Sequence, residues 1–286
     1  MIMREIFIFI ANLCFAGSLS AQISIFVDNT YKHQIRGDSL TGEKTIVNQK
    51  TFDVKGTRLL FEINYDPVTT LETGIIAYFY DSLGRMISKE IQTVDRMPVK
   101  LYRIIYNEKS DTSEITVFTS KEDTVALSET RQYYYDDLKR LTNVKCIDPR
   151  GNLSGEKIIK YRKNNTYPAS SKRISYIPGN CIQKYVYDFI DSTGMIKKVK
   201  ITDGCNQKDL KKYSIKYDFN PKNKITSEIK LTKNGKVLSK RIYTYTNDVD
   251  LSTFYDVNEN NKITAFYSRT FFWHKVSYIN VKSYFE

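Results

Sequence analysis

Tyrosines that end short strand-like segments recur through the chain at a nearly constant spacing. Consecutive closing tyrosines are 26 to 30 residues apart, and each ends an alternating segment such as 102–106. That spacing accommodates two strands and two turns, and alternation of apolar and polar residues is typical of strands with two different faces. The sequence therefore predicts an all-β chain of repeated antiparallel hairpins. The closing tyrosines are Tyr80, Tyr106, Tyr135, Tyr161, Tyr187, Tyr217 and Tyr245.

Several closing tyrosines are followed by an aspartate and a turn. After Tyr80, Asp81 favours the start of a turn because its side chain can bond the backbone ahead of it, and Gly84 accepts a positive φ. The chain then resumes a strand with a basic and an apolar residue, and residues 136–141 and 218–225 are variants of this turn. Each repeat is therefore predicted to consist of strand, turn, strand and turn.

The pattern Tyr-x-Tyr-Asp-x-x-Gly-Arg resembles the tyrosine–aspartate (YD, or RHS-type) repeats of bacterial surface and toxin proteins. Residues 74–86 carry the pattern most completely, and residues 133–141 carry it with Lys139 in place of the glycine. The resemblance extends over residues 50–260, and small secreted relatives with degenerate repeats are the nearer comparison. It implies long β-sheets that curl into a shell.

Within single strands, the side chains separate into an apolar face and a charged face. Tyr213 and Tyr217 share one face, and Lys216 lies on the other. A flat sheet with this pattern would leave its apolar face in water. The sequence therefore predicts one large curved sheet or an open barrel-like roll, in a single β-repeat domain of residues 22–286 with its clearest repeats at 74–260.

The first 21 residues are typical of a signal peptide. Arg4 precedes an apolar stretch at residues 6–16, and small residues at 17–21 suit cleavage near Ala21. The apolar stretch is too short to span a membrane comfortably. The protein is therefore predicted to be exported, to the periplasm, the cell envelope or the medium.

Three cysteines remain after residue 21. The midpoint of Cys181 and Cys205 falls inside a predicted turn at residues 191–194. In a regular hairpin, residues whose numbers have a constant sum face each other, so these two cysteines are expected to form a disulfide. Cys146 has no evident partner and is expected to be a small buried side chain.

The sequence contains no motif that points to catalysis. Its two histidines, His33 and His274, belong to no zinc-binding pattern, and it has neither a glycine-rich phosphate loop nor a serine elbow. A pair of carboxylates such as glycosidases use cannot be selected by spacing in a β protein. We therefore predict that the protein is not an enzyme and uses no cofactor or metal.

Positive charge is concentrated in one segment. Residues 195–245 contain 14 lysines and arginines against 4 aspartates and glutamates. Such a surface attracts anionic polymers, although lysines also protect exposed sheet edges, and tyrosines either pack across strands or stack ligands. The predicted partners are an anionic glycan, a lipid headgroup or another envelope protein, with no nucleic acid expected. The candidate binding residues are Lys212, Lys216, Lys230, Tyr213, Tyr217, Tyr243 and Tyr245.

Together these features favour a non-enzymatic binding or scaffold module that is exported to the cell envelope or secreted. Two alternatives stay open. The first is a glycan-binding or glycan-active domain of a polysaccharide system, which sugar binding by the tyrosines would favour. The second is an outer-membrane β-barrel, which alternating strands fit but which the adjacent lysines at 197 and 198 oppose.

Overall fold

The structure of the protein is a computed structural model. No helix within its described residues is long and apolar enough to cross a membrane. The predicted signal peptide, residues 1–21, lies outside the described part of the chain. The structure describes residues 22–36, 39–53, 55–121, 124–162, 166–176, 181–190, 194–205, 211–247 and 250–277.

Eighteen strands follow one another along the described chain, and each is antiparallel to its neighbours. The strands are β1 (Gln22–Arg36), β2 (Ser39–Phe52), β3 (Leu59–Tyr65), β4 (Glu72–Tyr80), β5 (Met86–Gln92), β6 (Pro98–Tyr106), β7 (Thr112–Lys121), β8 (Thr124–Tyr135), β9 (Leu141–Ile147), β10 (Leu153–Tyr161), β11 (Pro168–Ser175), β12 (Cys181–Ile190), β13 (Met195–Asp203), β14 (Lys211–Phe219), β15 (Ile225–Thr232), β16 (Val237–Thr246), β17 (Asp250–Asn258) and β18 (Ile263–Ser277).

The sheet closes on itself because the first strand pairs with the last. β1 and β18 are hydrogen-bonded from Gln22 opposite Ser277 to His33 opposite Phe266. β1 also pairs with β2, and each later strand pairs with the next one in sequence. The all-β prediction is confirmed, and the predicted barrel-like roll is a closed barrel of eighteen strands. Closure leaves no free strand edge for lysines to protect.

The turns that contain the tyrosine–aspartate pattern all lie at one end of the barrel, here called the motif rim. In the turn after β4, the Asp81 carbonyl accepts a hydrogen bond from the Gly84 N–H at 2.9 Å, and Gly84 has a φ of 80°. In the turn after β8, Lys139 occupies the position equivalent to Gly84 and has a φ of 58°. The turn therefore has the same conformation without the glycine. Among the described residues, the motif rim includes the turns at 81–85 and 136–140, which contain the pattern, and the related turns at 107–111 and 220–224.

The strand register assigns mid-strand side chains to two faces of the barrel wall. The tyrosine face carries Tyr102, Tyr185 and Tyr213, and the lysine face carries Lys184 and Lys216. Tracing the pairs around all eighteen strands returns to the same face, as closure requires.

The expectation of one apolar face and one charged face is correct within single strands and wrong across strands. On β14, Ile215 and Tyr217 belong to the tyrosine face, but their partners on β15 are Lys230 and Glu228. The apolar side of one strand therefore adjoins the charged side of the next, and neither face is uniformly apolar. A bulge beside Asp218 and Phe219 contributes to this arrangement, because a shift of one residue moves side chains to the opposite face.

Among the described residues, the buried apolar side chains are few, and none of them is aromatic. Half of them lie on each face of the wall, so the barrel is not organised around a single packed core. They are Val27, Ile63, Ile75, Val117, Val144, Val199, Ile201 and Val257.

The predicted disulfide is confirmed. Pairs from Gln183 opposite Asp203 to Asp188 opposite Lys198 follow the register centred on residue 193. Cys181 and Cys205 are bonded two residues beyond the pair of Gln183 and Asp203, with their Cα atoms 4.1 Å apart. Cys146 is a free, half-buried thiol whose pKa is raised by burial.

Candidate functional site

The predicted binding residues are divided between the two faces. Lys212 and Lys216 lie on the lysine face of β14, opposite Thr202 and Lys198 of β13. Lys230 lies on the tyrosine face of the neighbouring strand, opposite Ile215. The structure therefore separates two of the three predicted lysines from the predicted tyrosines. The remaining members of the set on the tyrosine face are Tyr213, Tyr217, Tyr243 and Tyr245.

The tyrosine face of β14 to β17 combines rings with charged groups. Lys230 Nζ lies 4.6 Å from the ring centroid of Tyr213. Arg241 donates two hydrogen bonds to the Asp256 carboxylate, at 2.6 and 2.8 Å. Burial, followed by the negative charge of Glu228, raises the pKa of Tyr243. This surface thus places tyrosine rings beside charged side chains. The arrangement is typical of packing across strands, and it would also allow a ring-shaped ligand to stack.

Closing tyrosines at the motif rim act as clasps between adjacent strands. The hydroxyl of Tyr80, at the end of β4, donates a hydrogen bond of 2.8 Å to the carbonyl of Leu59, the first residue of β3. The same bond joins the end of one strand to the beginning of its partner in four further hairpins. The donors and acceptors are Tyr106 and Met86, Tyr135 and Thr112, Tyr161 and Leu141, and Tyr245 and Ile225.

The arginine of the pattern links one repeat to the next. Arg85 pairs with Asp81 of its own turn at 2.7 Å, and its guanidinium lies 4.6 Å from the ring centroid of Tyr106, the closing tyrosine of the next repeat. Arg140 likewise pairs with Asp136 and lies over Tyr161 at 4.5 Å. The residue after each arginine supplies the carbonyl to which that tyrosine bonds. The pattern is therefore a structural joint that is used repeatedly around the rim.

Two aspartates of these joints have lowered pKa values. The guanidinium of Arg140 is the main cause for Asp136, with a further contribution from the Arg140 backbone N–H. For Asp81, partial desolvation acts to raise the pKa, but hydrogen bonds from the Arg85 backbone and side chain outweigh it. Both carboxylates are thus held in their charged form.

Removing one clasp hydroxyl is expected to weaken the barrel measurably. Tyr135→Phe leaves the Thr112 carbonyl without its donor and should lower the free energy of unfolding by about 1 kcal/mol. Tyr134→Phe is the matched control, because Tyr134 is an exposed residue of the lysine face whose hydroxyl donates its hydrogen bond to the side chain of Gln132 and not to a backbone carbonyl. It should change stability by less than about 0.5 kcal/mol. Urea unfolding measures both variants, and equal losses would contradict the clasp.

The rim aspartates predict a loss of stability in acid. Because their pKa values are lower in the folded state than in the unfolded chain, their contribution is present above the unfolded pKa of about 3.9 and disappears as the pH falls through the folded value. The urea midpoint should hold down to about pH 5 and decline below about pH 4. The variant carrying Asp81→Asn and Asp136→Asn should decline less steeply, and an identical decline would rule these two carboxylates out as contributors.

The lysine face of β11 to β16 brings together positive residues that are distant in sequence. Lys172 lies directly opposite Lys184, and Lys198 lies directly opposite Lys216. The sequence indicated the positive segment, but the segment began at residue 195, so Lys172 and Lys184 were missed. β11 and β12 contribute one lysine each, and only the register of the folded sheet aligns these two lysines with those of β13 and β14.

No protein-family model matches the chain, and no curated protein is similar to it in sequence. Among solved structures, it is similar to TcdB2-TccC3, with 11% identity and a TM-score of 0.38 over 86% of this chain. The chain spans 16% of the length of that protein. It is also similar to a porin-like protein from Bacteroides uniformis, with 10% identity and a TM-score of 0.42 over 88% of this chain and 97% of the other. A porin-like protein from Bacteroides vulgatus has 9% identity and a TM-score of 0.35, over 85% of this chain and 96% of the other. At these TM-scores, none of the three likenesses transfers a function.

Proposed function

We propose that the protein is an exported, non-enzymatic β-barrel of the cell envelope that stands in water and binds its partner through the barrel wall. The observation that carries the proposal is a closed register of eighteen strands with charged side chains on both faces. Closure completes the backbone hydrogen bonding without lipid or a partner chain. The sequence pattern of a signal peptide supports export.

The exposure of matched side chains supports a wall with the tyrosine face inside. Val186, on the lysine face of β12, is 51% exposed, whereas Val199, on the tyrosine face of the adjacent strand, is 6% exposed. β12 alternates along its length, with Ile182 and Lys184 exposed and Gln183 and Tyr185 half-buried. Side chains crowd on the concave side of a closed sheet and spread on its convex side. In the sector of β12 and β13, the tyrosine face is therefore assigned to the interior of the barrel.

Charge on both faces supports a barrel surrounded by water. Lys184 and Lys200 are exposed on the lysine face, and Lys157 and Arg173 are exposed on the tyrosine face. Lysine or arginine on the lipid face of a barrel costs about 2–4 kcal/mol each near the middle of a bilayer. Either orientation would place several such residues in lipid.

The experiment is purification without detergent. We expect a monodisperse monomer with a β-sheet circular dichroism spectrum, unchanged by added detergent. The proposal fails if the chain aggregates without detergent but gives a folded monomer with it.

An outer-membrane barrel is the second candidate, and the topology favours it over an open scaffold sheet. Bacterial outer-membrane barrels consist of an even number of sequential antiparallel strands, as this barrel does. Some apolar side chains of the lysine face are also exposed, as contact with lipid would require. They include Tyr134, Ile182 and Val186. Insertion of urea-denatured chain into phospholipid vesicles, with protection of the strands from protease, would establish this candidate.

A further inference from the structure

We propose that the lysine face of β11 to β16 binds a linear polyanion, of the chemical class of acidic polysaccharides. This inference rests on the proposed function, because it requires the lysine face to be the outer surface of a barrel in water. It goes further by naming the surface and the chemistry of the partner.

The lysines form rows that cross the strands. One row runs from Lys172 through Lys184 and Thr202 to Lys212. A second row runs from Asp188 through Lys198, Lys216 and Ile229 to Lys240. Lys200 lies between the rows, opposite Val186 and Ser214. The two rows contain six lysines, and Lys200 makes seven on a surface that forms only when the chain folds.

Negative residues on this surface are too few to neutralise it. Asp188 faces Lys198, and Asp218 Oδ1 lies 2.9 Å from Lys216 Nζ. Asp218 also accepts a hydrogen bond of 2.6 Å from Ser227. Two aspartates therefore face seven lysines, and like charges directly opposite each other destabilise a sheet. A bound anion would relieve this repulsion.

The shape of the surface favours a polymer over a single anionic group. Neighbouring strands are about 4.8 Å apart, so the lysines from β11 to β16 extend over roughly 24 Å. A headgroup or a phosphate needs donors that converge on one point, whereas these lysines are spread along rows. Apolar side chains, including Val186 and Ile229, lie between them. A repeating acid can place successive charges along such a row.

The test is a binding titration with polygalacturonate and with dextran sulfate as probes. The test variant carries Lys172→Gln, Lys184→Gln, Lys198→Gln and Lys216→Gln, which removes both directly opposed pairs. The control carries Lys89→Gln, Lys100→Gln, Lys157→Gln and Lys230→Gln, which removes the same charge from the tyrosine face. Vesicles containing an anionic phospholipid serve as the competing probe, and detergent-free solubility is established first for each variant.

We expect unsubstituted protein to bind both polymers and to lose on the order of tenfold to a hundredfold in affinity as salt rises from about 50 to about 200 mM. The test variant should bind at least about tenfold more weakly with an unchanged or slightly higher urea midpoint, because opposed positive charges have been removed. The control should retain most of the affinity. The proposal would be overturned by equal losses of affinity in both variants. It would also be overturned by binding to the vesicles but not to the polymers, or by no binding to either polymer. A protein that needs detergent would instead overturn the proposed function.

Discussion

Arg269→Ala is expected to lower the free energy of unfolding by about 3–5 kcal/mol. Arg269 is on β18 and donates hydrogen bonds to both carboxylate oxygens of Asp28 on β1, with Nε at 3.2 Å from Oδ1. The Asp28 side chain is 3% exposed. Removing the guanidinium therefore leaves a buried carboxylate without its partner charge, at the pair of strands that closes the barrel.

The matched control is Arg241→Ala, because Arg241 makes the same two-bond pair with Asp256 but both side chains are more exposed. Its loss should be about 1 kcal/mol or less. Urea unfolding measures the stability of both variants. Hydrogen exchange of the β1 amides reports whether β1 separates from β18. Joint replacement of Asp28 and Arg269 by alanine should recover part of the loss. Equal losses of stability in the two single variants would show that the pair of Asp28 and Arg269 has no special role.

Removing the disulfide with Cys181→Ser and Cys205→Ser is expected to cost about 3 kcal/mol in the chain-entropy model. The bond joins residues separated by 24 positions and constrains the unfolded chain through the β12–β13 hairpin. Cys146→Ser is the control, since this thiol has no disulfide partner, and it should have a smaller effect. Peptide mapping without reductant establishes the bond, and urea unfolding measures its contribution. Free thiols at both positions in the unsubstituted protein would contradict the bond, and unchanged stability of the double variant would contradict its role.

The features that the sequence predicts well are local. Alternation along β12 and β14 sets which residues share a face, and the turn chemistry around Asp81 positions the hairpins. The disulfide could be predicted because Cys181 and Cys205 belong to one hairpin, and the regular register of that hairpin places them opposite each other.

The features that the sequence does not predict depend on several strands at once. Whether Lys230 joins the tyrosines or the other lysines depends on the register between β14 and β15, including the bulge near Asp218. Closure depends on contacts such as Asp28 with Arg269, which are 241 positions apart. No local pattern encodes such a pairing.

The motif rim is an intermediate case. The pattern around Asp81 and Arg85 was visible and was correctly associated with a turn. Its other role, the placement of Arg85 over Tyr106, joins different repeats and becomes visible only when β5 and β6 are adjacent. The binding residues stay predictions.

Binding of a polyanion by the lysine face requires a barrel with its tyrosine face inside and its lysine face outside. Lys157→Cys places a thiol on the tyrosine face of β10, and Lys184→Cys places one on the lysine face of β12, both at exposed positions. With Cys146→Ser as the background, a small maleimide should label both thiols, whereas a maleimide carried on a folded protein should label Lys184→Cys alone. Labelling of Lys157→Cys by the large reagent as fast as Lys184→Cys would contradict the account.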